Sequence, residues 1–205
     1  VAGNVTQYLP LGPKWVLALS LRGGGIVRLN PLSQTIPPKR FYLGGSTTMR
    51  GFGEDQVIPE DQREIFALEA RDCAALANKA GCTVQARTVL DGNQIPPQGG
   101  ELFEMAKAEL RFPFPLLPSW DSGLFVEAGN LYLNQNYDFF GSLYTLRYDA
   151  GVSFRKPTPI GALALGLGFN LNAARDSIRS ALSLAPVSYS LNETLWNFNF
   201  SVGQF

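Results

Sequence analysis

Leu163-Ala164-Leu165-Gly166-Leu167-Gly168-Phe169-Asn170-Leu171-Asn172 alternates with a period of two. Leu163, Leu165, Leu167, Phe169 and Leu171 form one wholly apolar face. Ala164, Gly166, Gly168, Asn170 and Asn172 form the other, which is small or polar. Period two is the β-strand period. A soluble sandwich also has an apolar strand face, but its outward side usually carries Lys, Glu and Thr rather than Gly and Ala. Large apolar residues backed by small ones suit a wall whose greasy side meets lipid.

Outward from this stretch the pattern recurs. The last residues set Trp196, Phe198, Phe200 and Val202 against Asn197, Asn199, Ser201 and Gly203. Trp15 to Arg22 sets Trp15, Leu17, Leu19 and Leu21 against Ala18, Ser20 and Arg22. Phe103 to Phe112 sets Ala106, Ala108, Leu110 and Phe112 against Lys107, Glu109 and Arg111. Tyr144 to Arg155 sets Tyr148, Ala150, Val152 and Phe154 against Arg147, Asp149, Ser153 and Arg155. Gly123 to Tyr132 is a weaker strand with Glu127 in its middle, and the residues before Tyr8 read as the tail of another. Six strands and a partial seventh are expected. Charges fall almost entirely on one side, as in a transmembrane barrel with a lipid-facing exterior and an aqueous lumen.

Composition agrees. Charged residues are 17% of the 205-residue chain and the net charge is zero. A nucleic-acid partner normally requires a basic surface, so none is expected. No apolar run is long enough for a transmembrane helix, which leaves spanning strands open. No signal peptide opens the chain, and Val1 reads as a start already inside a strand. There is no histidine, which removes the commonest general base and the usual zinc ligand. Gly23-Gly24-Gly25 reads as a strand irregularity rather than a nucleotide cradle. Gly166-Leu167-Gly168 lacks the third glycine of a dinucleotide fingerprint. The expectation is a protein that is not an enzyme and holds no metal or cofactor.

The connections alternate in length. Pro10 to Lys14, Pro113 to Asp121 and Pro157 to Gly161 are short and proline-rich. Asn30 to Gly100, Asn134 to Ser142 and about Ala173 to Glu193 are long. Barrels of the outer membrane pair short periplasmic turns with longer extracellular loops. Within the longest loop, Ile65 to Ala80 predicts a helix ending near Gly81. Cys73 and Cys82 flank its end, and an even pair in an exported protein favours a disulfide.

Several motifs then resemble, in order, the BamA-like family of outer-membrane assembly and translocation factors (the BamA/TamA superfamily). Leu43-Gly44-Gly45 followed by Met49-Arg50-Gly51-Phe52 resembles its loop motif, usually VRGF or VRGY. Ala106-Lys107-Ala108-Glu109-Leu110-Arg111-Phe112-Pro113 and Gly123-Leu124-Phe125-Val126-Glu127-Ala128-Gly129-Asn130 resemble its next two strands. Gly151-Val152-Ser153-Phe154 with Pro157-Thr158-Pro159-Ile160-Gly161 resembles a late turn. Phe200-Ser201-Val202-Gly203-Gln204-Phe205 resembles the terminal signal strand. Met49 stands where the family usually has Val. Phe205 follows Gln204 without the usual extra residue, so a terminal bulge or an altered docking of Phe205 is expected.

The resemblance implies an all-β, antiparallel transmembrane barrel of about sixteen strands. Residues 1–205 would be its carboxy-terminal portion, the last six or seven strands, with one long loop over about 30–100. Earlier strands and the POTRA domains would lie outside this sequence. The loop would fold into the lumen, its Gly44, Gly45, Arg50, Gly51 and Phe52 forming the motif. Arg50 would meet Glu109 and Glu127, with Asp149 as a third acid. Trp196, Phe198, Phe200, Val202, Gly203 and Phe205 would form a signal strand flanking a seam that opens laterally. The implied function is insertion or translocation of client proteins without nucleotide, in the outer membrane of a Gram-negative bacterium. Implied partners are outer-membrane lipid, unfolded client barrel or secreted proteins, the remaining strands and POTRA domains, and accessory assembly subunits. A passive channel or other structural barrel is the alternative, and a soluble β-sandwich binding module the third reading. General assembly, autotransporter assembly and secretion of one dedicated partner stay undistinguished.

Overall fold

The computed structural model describes residues 1–30, 33–76, 78–117, 119–134, 145–159, 161–181 and 191–202. Seven antiparallel strands form one sheet in sequential order: β1 (Ala2–Gly12), β2 (Trp15–Gly25), β3 (Leu102–Pro113), β4 (Asp121–Tyr132), β5 (Arg147–Lys156), β6 (Leu163–Asn170) and β7 (Trp196–Val202). Each strand pairs with its sequence neighbours, and β1 and β7 are the edges of the sheet among the described residues. Among the described residues no helix is long and apolar enough to cross a membrane.

The alternation sorts as the sequence predicts. On the outer face Leu163, Leu165, Leu167 and Phe169 lie opposite Val202, Phe200, Phe198 and Trp196 in the β6–β7 register. Trp196, Phe198 and Phe200 are each more than half exposed. Apolar cross-strand pairs stabilise a sheet face, and here they form a continuous greasy exterior. The charged positions of β3, β4 and β5 share the opposite face, where Lys107 lies opposite Glu127 and Glu127 opposite Asp149.

Three expectations about the strands need correction. The tail before Tyr8 is a full strand, paired with β2 along its length. The alternation there is blurred by Gly3, Pro10 and Gly12, and the register shifts between Pro10 and Gly12. Gly23-Gly24-Gly25 is not an irregularity: each glycine keeps regular register with β3. A Cβ on Gly24 would sit 2.7 Å from the Phe103 ring and 2.8 Å from the Ala2 Cβ, so glycine makes room for that ring. Finally, β6 stops at Asn170, and Leu171 opens a helix, α3 (Leu171–Ala181). Asn170 Oδ1 accepts from the backbone N–H groups of Asn172 and Ala173 at 3.1 and 3.0 Å, which is the side-chain capping that starts a helix.

The long β2–β3 excursion carries two α-helices rather than one. They are α1 (Glu60–Ala74), which begins and ends earlier than Ile65 to Ala80, and α2 (Val84–Leu90). Pro59 and the acidic Glu60 and Asp61 start α1, while Thr83 caps α2 by accepting from the Ala86 N–H. Cys73 and Cys82 are joined, with Cα atoms 5.6 Å apart, and tie the end of α1 to the start of α2. Ile58, Phe66, Ala70, Val89, Ile95 and Leu191 form the small core of this cap. The excursion is gathered at its neck by reciprocal bonds between Phe41 and Gly100, each N–H donating to the other's carbonyl at 2.8 Å.

Candidate functional site: a loop fastened to the inner wall

The chain from Leu43 to Val57 lies on the inner face of the sheet. Leu43, Met49, Phe52 and Val57 are buried against Phe103, Met105 and Leu131, which project inward from β3 and β4. Burying such side chains contributes roughly 1.5–3 kcal/mol each, so the apolar positions of the motif supply the docking energy. Met49, in place of the expected valine, is fully buried.

Glycines give the loop its tight course. Gly44 and Gly45 take φ of 118° and 85°, a region L-residues rarely adopt. A Cβ on Gly44 would stand 2.1 Å from the Gly53 carbonyl oxygen. The Thr48 hydroxyl bridges the Gly44 N–H and carbonyl, both at 2.7 Å, and the Gly45 N–H donates to the Phe52 carbonyl at 3.0 Å. Gly51 presses on the wall, where an added Cβ would lie 2.4 Å from that of Asp149.

These contacts aim Arg50. Its backbone N–H donates to Glu127 Oε2 at 2.7 Å and its Nε to Glu127 Oε1 at 2.9 Å. Its Nη2 donates to Glu109 Oε2 at 3.1 Å. The guanidinium carbon lies 3.5 Å from the Phe125 ring centroid, a cation–π arrangement that also shields the pair from water. Arg50 is 7% exposed, Glu109 6% and Glu127 0%. An enclosed guanidinium with two carboxylates satisfies its planar fork, which a lysine could not do.

The third acid behaves otherwise than expected. Asp149 accepts from the Gly51 N–H at 3.1 Å and makes no ion pair with Arg50. It holds the loop backbone beside the guanidinium, because its place across from Glu127 on β5 faces the following residue. Glu109 is shared further: Arg155 lies 2.9 Å and Arg111 3.5 Å from its Oε1, and Ser153 Oγ donates to Oε1 at 3.0 Å. Lys107 Nζ lies 3.2 Å from Glu127 and donates to the Thr47 carbonyl at 2.9 Å. Beside this network the inner wall leaves a cavity of about 420 Å³, lined by Asn4, Thr6, Arg22, Arg111 and Arg155 among others.

A second charged cluster fastens the cap. Arg147 is 1% exposed and donates to Glu193 and, at 2.7 Å, to the Ile58 carbonyl. Arg63 of α1 reaches Glu193 at 3.3 Å. Burial alone would raise the Glu193 carboxyl, but the Arg147 and Arg63 guanidinium groups outweigh it and hold it below the ordinary carboxylate range. Asp61 accepts from the Leu133 and Asn134 N–H groups at 3.0 and 2.8 Å, seating α1 on the end of β4.

The sequence assigned no role to Phe125, Arg147, Glu193, Asn197 or Asn199. Two asparagines on the inner side of an aromatic strand were the available signal for the last pair, since buried amides need partners. Trp196, Phe198, Phe200 and Val202 project from the outer face of β7. Gly203 and Phe205, and with them the expected terminal bulge, lie outside the described residues.

The Omp85 superfamily domain matches residues 1–205. The chain belongs to the Omp85 superfamily. This Omp85 chain is 48% identical over 48 residues to a SAM50-like protein of Schizosaccharomyces pombe, covering 23% of the chain and 10% of that protein. It is also similar to the structure of CdiB from Acinetobacter baumannii, at 16% identity with a TM-score of 0.46 over 97% of this chain and 26% of that one. The chain thus spans about a tenth and about a quarter of these two relatives. Omp85 proteins are outer-membrane barrels, and the superfamily covers protein insertases and translocases.

Proposed function

We propose that residues 1–205 are part of the barrel of an outer-membrane insertase or translocase that hands client proteins through a lateral seam at β7. The observation that carries this reading is the Arg50 network. A loop drawn inward from the barrel mouth and buried by charge and packing can brace the wall of a barrel that must open and reclose. Two further features support it. Strand β7 pairs with β6 alone among the described residues, leaving an edge that can template an incoming strand by β-augmentation. The edge of β1 that is free among the described residues needs a partner strand to satisfy its backbone in lipid.

In this reading the work consists of strand exchange and needs no nucleotide, metal or covalent step. The partners are lipid, unfolded client barrels or secreted proteins, and accessory assembly subunits. We place the protein in a Gram-negative outer membrane. The match to a fungal protein favours, as a second setting, the outer membrane of a eukaryotic organelle, and fractionation of the source cells separates the two. The test of function is Arg50→Ala in the full-length protein reconstituted in liposomes. Assembly of a client barrel should fall while the variant barrel itself still inserts. Unchanged client assembly would overturn the proposal.

A further inference from the structure

At Gly166 and Gly168 the inner face of β6 carries no side chain. A Cβ on Gly168 would lie 2.5 Å from the Arg50 carbonyl carbon and oxygen, so the loop backbone rests directly on the strand. This close approach lets the loop cross β6 and reach β7. There Asn199 Nδ2 donates to the Arg50 carbonyl at 2.8 Å. Asn197 Nδ2 donates to the Phe52 carbonyl at 2.8 Å and lies 3.1 Å from Asn199 Oδ1. The two amides therefore hold the carbonyls on either side of Gly51, while the Arg50 guanidinium points away toward β3 and β4.

We propose that Asn197 and Asn199 are coupling residues that tie the Arg50 loop to the edge strand β7, so that undocking the loop loosens the seam and opening the seam loosens the loop. The proposal rests on the reading of β7 as one side of a lateral seam. If β7 shifts outward alone, the Arg50 carbonyl loses its amide donors inside a buried contact and the Phe52 carbonyl keeps only the Gly45 N–H, which the structure resists. If it shifts with the loop, the Glu127 and Glu109 bonds must stretch. Either way the two elements share one equilibrium, and thermodynamic linkage makes the influence equal in both directions.

Hydrogen–deuterium exchange on the full-length protein in nanodiscs tests this. Asn197→Ser with Asn199→Ser should speed exchange of residues 44–53 by about fivefold for each hydrogen bond lost, with β3 and β4 unchanged. Gly168→Ala should do the same by displacing the Arg50 carbonyl, without removing an amide. The decisive arm is reciprocal. Arg50→Ala, whose lost side chain touches β3 and β4, should speed exchange of residues 196–202 on β7. A purely structural role for the asparagines would not produce that change. If β7 exchange is unmoved by Arg50→Ala, or loop exchange is unmoved by both the asparagine pair and Gly168→Ala, the coupling is wrong. Heat-modifiable migration on gels confirms that each variant barrel is folded. Client assembly is scored separately: normal assembly by Arg50→Ala with coupled exchange would sink the proposed function and leave the coupling standing.

Discussion

Arg50 and Glu127 are joined twice, once through the Arg50 backbone N–H and once through its side chain, each bond going to a different carboxylate oxygen. The side-chain bond orients the guanidinium, and the backbone bond fixes where the loop touches the wall. Substituting Arg50 therefore removes only part of what Glu127 does.

Glu127→Ala should consequently be more damaging than Arg50→Ala. Removing one partner of a buried pair costs roughly 3–5 kcal/mol, and Glu127→Ala also leaves the Arg50 N–H without its acceptor and Lys107 with the Thr47 carbonyl but no carboxylate. Arg50→Lys should recover only part of the loss, since an ammonium lacks the planar fork. Limited proteolysis within residues 43–58 of the folded barrel reads the order. A Glu127→Ala loop as protected as the Arg50→Ala loop would contradict it.

Gly51→Ala should weaken docking by about 1–3 kcal/mol, the usual range for overpacking, because its Cβ would meet that of Asp149 at 2.4 Å. Asp149→Gly in the same chain relieves the clash but forfeits the Gly51 amide bond, so rescue should be incomplete. Thermal unfolding of the two variants and the unsubstituted chain in detergent provides the comparison.

Reduction should loosen the cap and spare the wall. For a closed segment as short as that between Cys73 and Cys82, a disulfide contributes about 2–3 kcal/mol. Intact mass under non-reducing alkylation should show no modified thiol in this chain. After reduction, exchange should rise in α1 and α2 but not in β3 to β5. Two thiols alkylated without reductant would refute the bond.

The cap should also have an acid limit. Because the Glu193 carboxyl titrates lower in the folded chain than in the unfolded one, its contribution is complete above the unfolded value of about 4.3. That contribution fades as pH falls below this point and through the depressed folded value. Protease sensitivity around Arg63 should therefore stay flat from neutral pH to about 5 and rise in more acid solution. Glu193→Gln should flatten the acid rise attributable to this group. A rise beginning well above pH 5 would implicate other groups.

The outer face should reject charge where the inner face tolerates it. Phe198→Lys places an ammonium toward lipid, which costs roughly 2–4 kcal/mol near the bilayer midplane. Ser201→Lys, two residues from Asn199 on the lumen side, should fold far better. Urea titrations in liposomes compare them, and equal losses would mean that β7 does not face lipid as described.

Strand positions were legible because alternation is strict where one face meets lipid and the other carries charge. The meeting of Arg50 with Glu109 and Glu127 was legible from the motif order combined with strand parity. What escaped notice follows from the same logic. Leu171 continues the apolar parity of β6, so only the capping role of Asn170 marks the turn into α3, and alternation does not register a cap. Asp149 has the right parity and lies level with Glu127, but one strand farther along the wall, where the loop presents the Gly51 N–H rather than the guanidinium. The glycines of β6 looked like mere absence of side chains. Their purpose appears only when another segment is seen lying on them.

The reciprocal bonds between Phe41 and Gly100 bring the start and end of a long excursion to adjacent points. A segment that leaves and returns through one doorway imposes no length requirement on the strands that flank it, since closure entropy grows only slowly with what is enclosed. The helices beyond the fastened loop can be shortened, exchanged or enlarged without shifting a single register in β2 or β3. Change on the outside of such a barrel is therefore decoupled from the register of its wall, and a foreign domain inserted between α1 and α2 should be carried by the same scaffold.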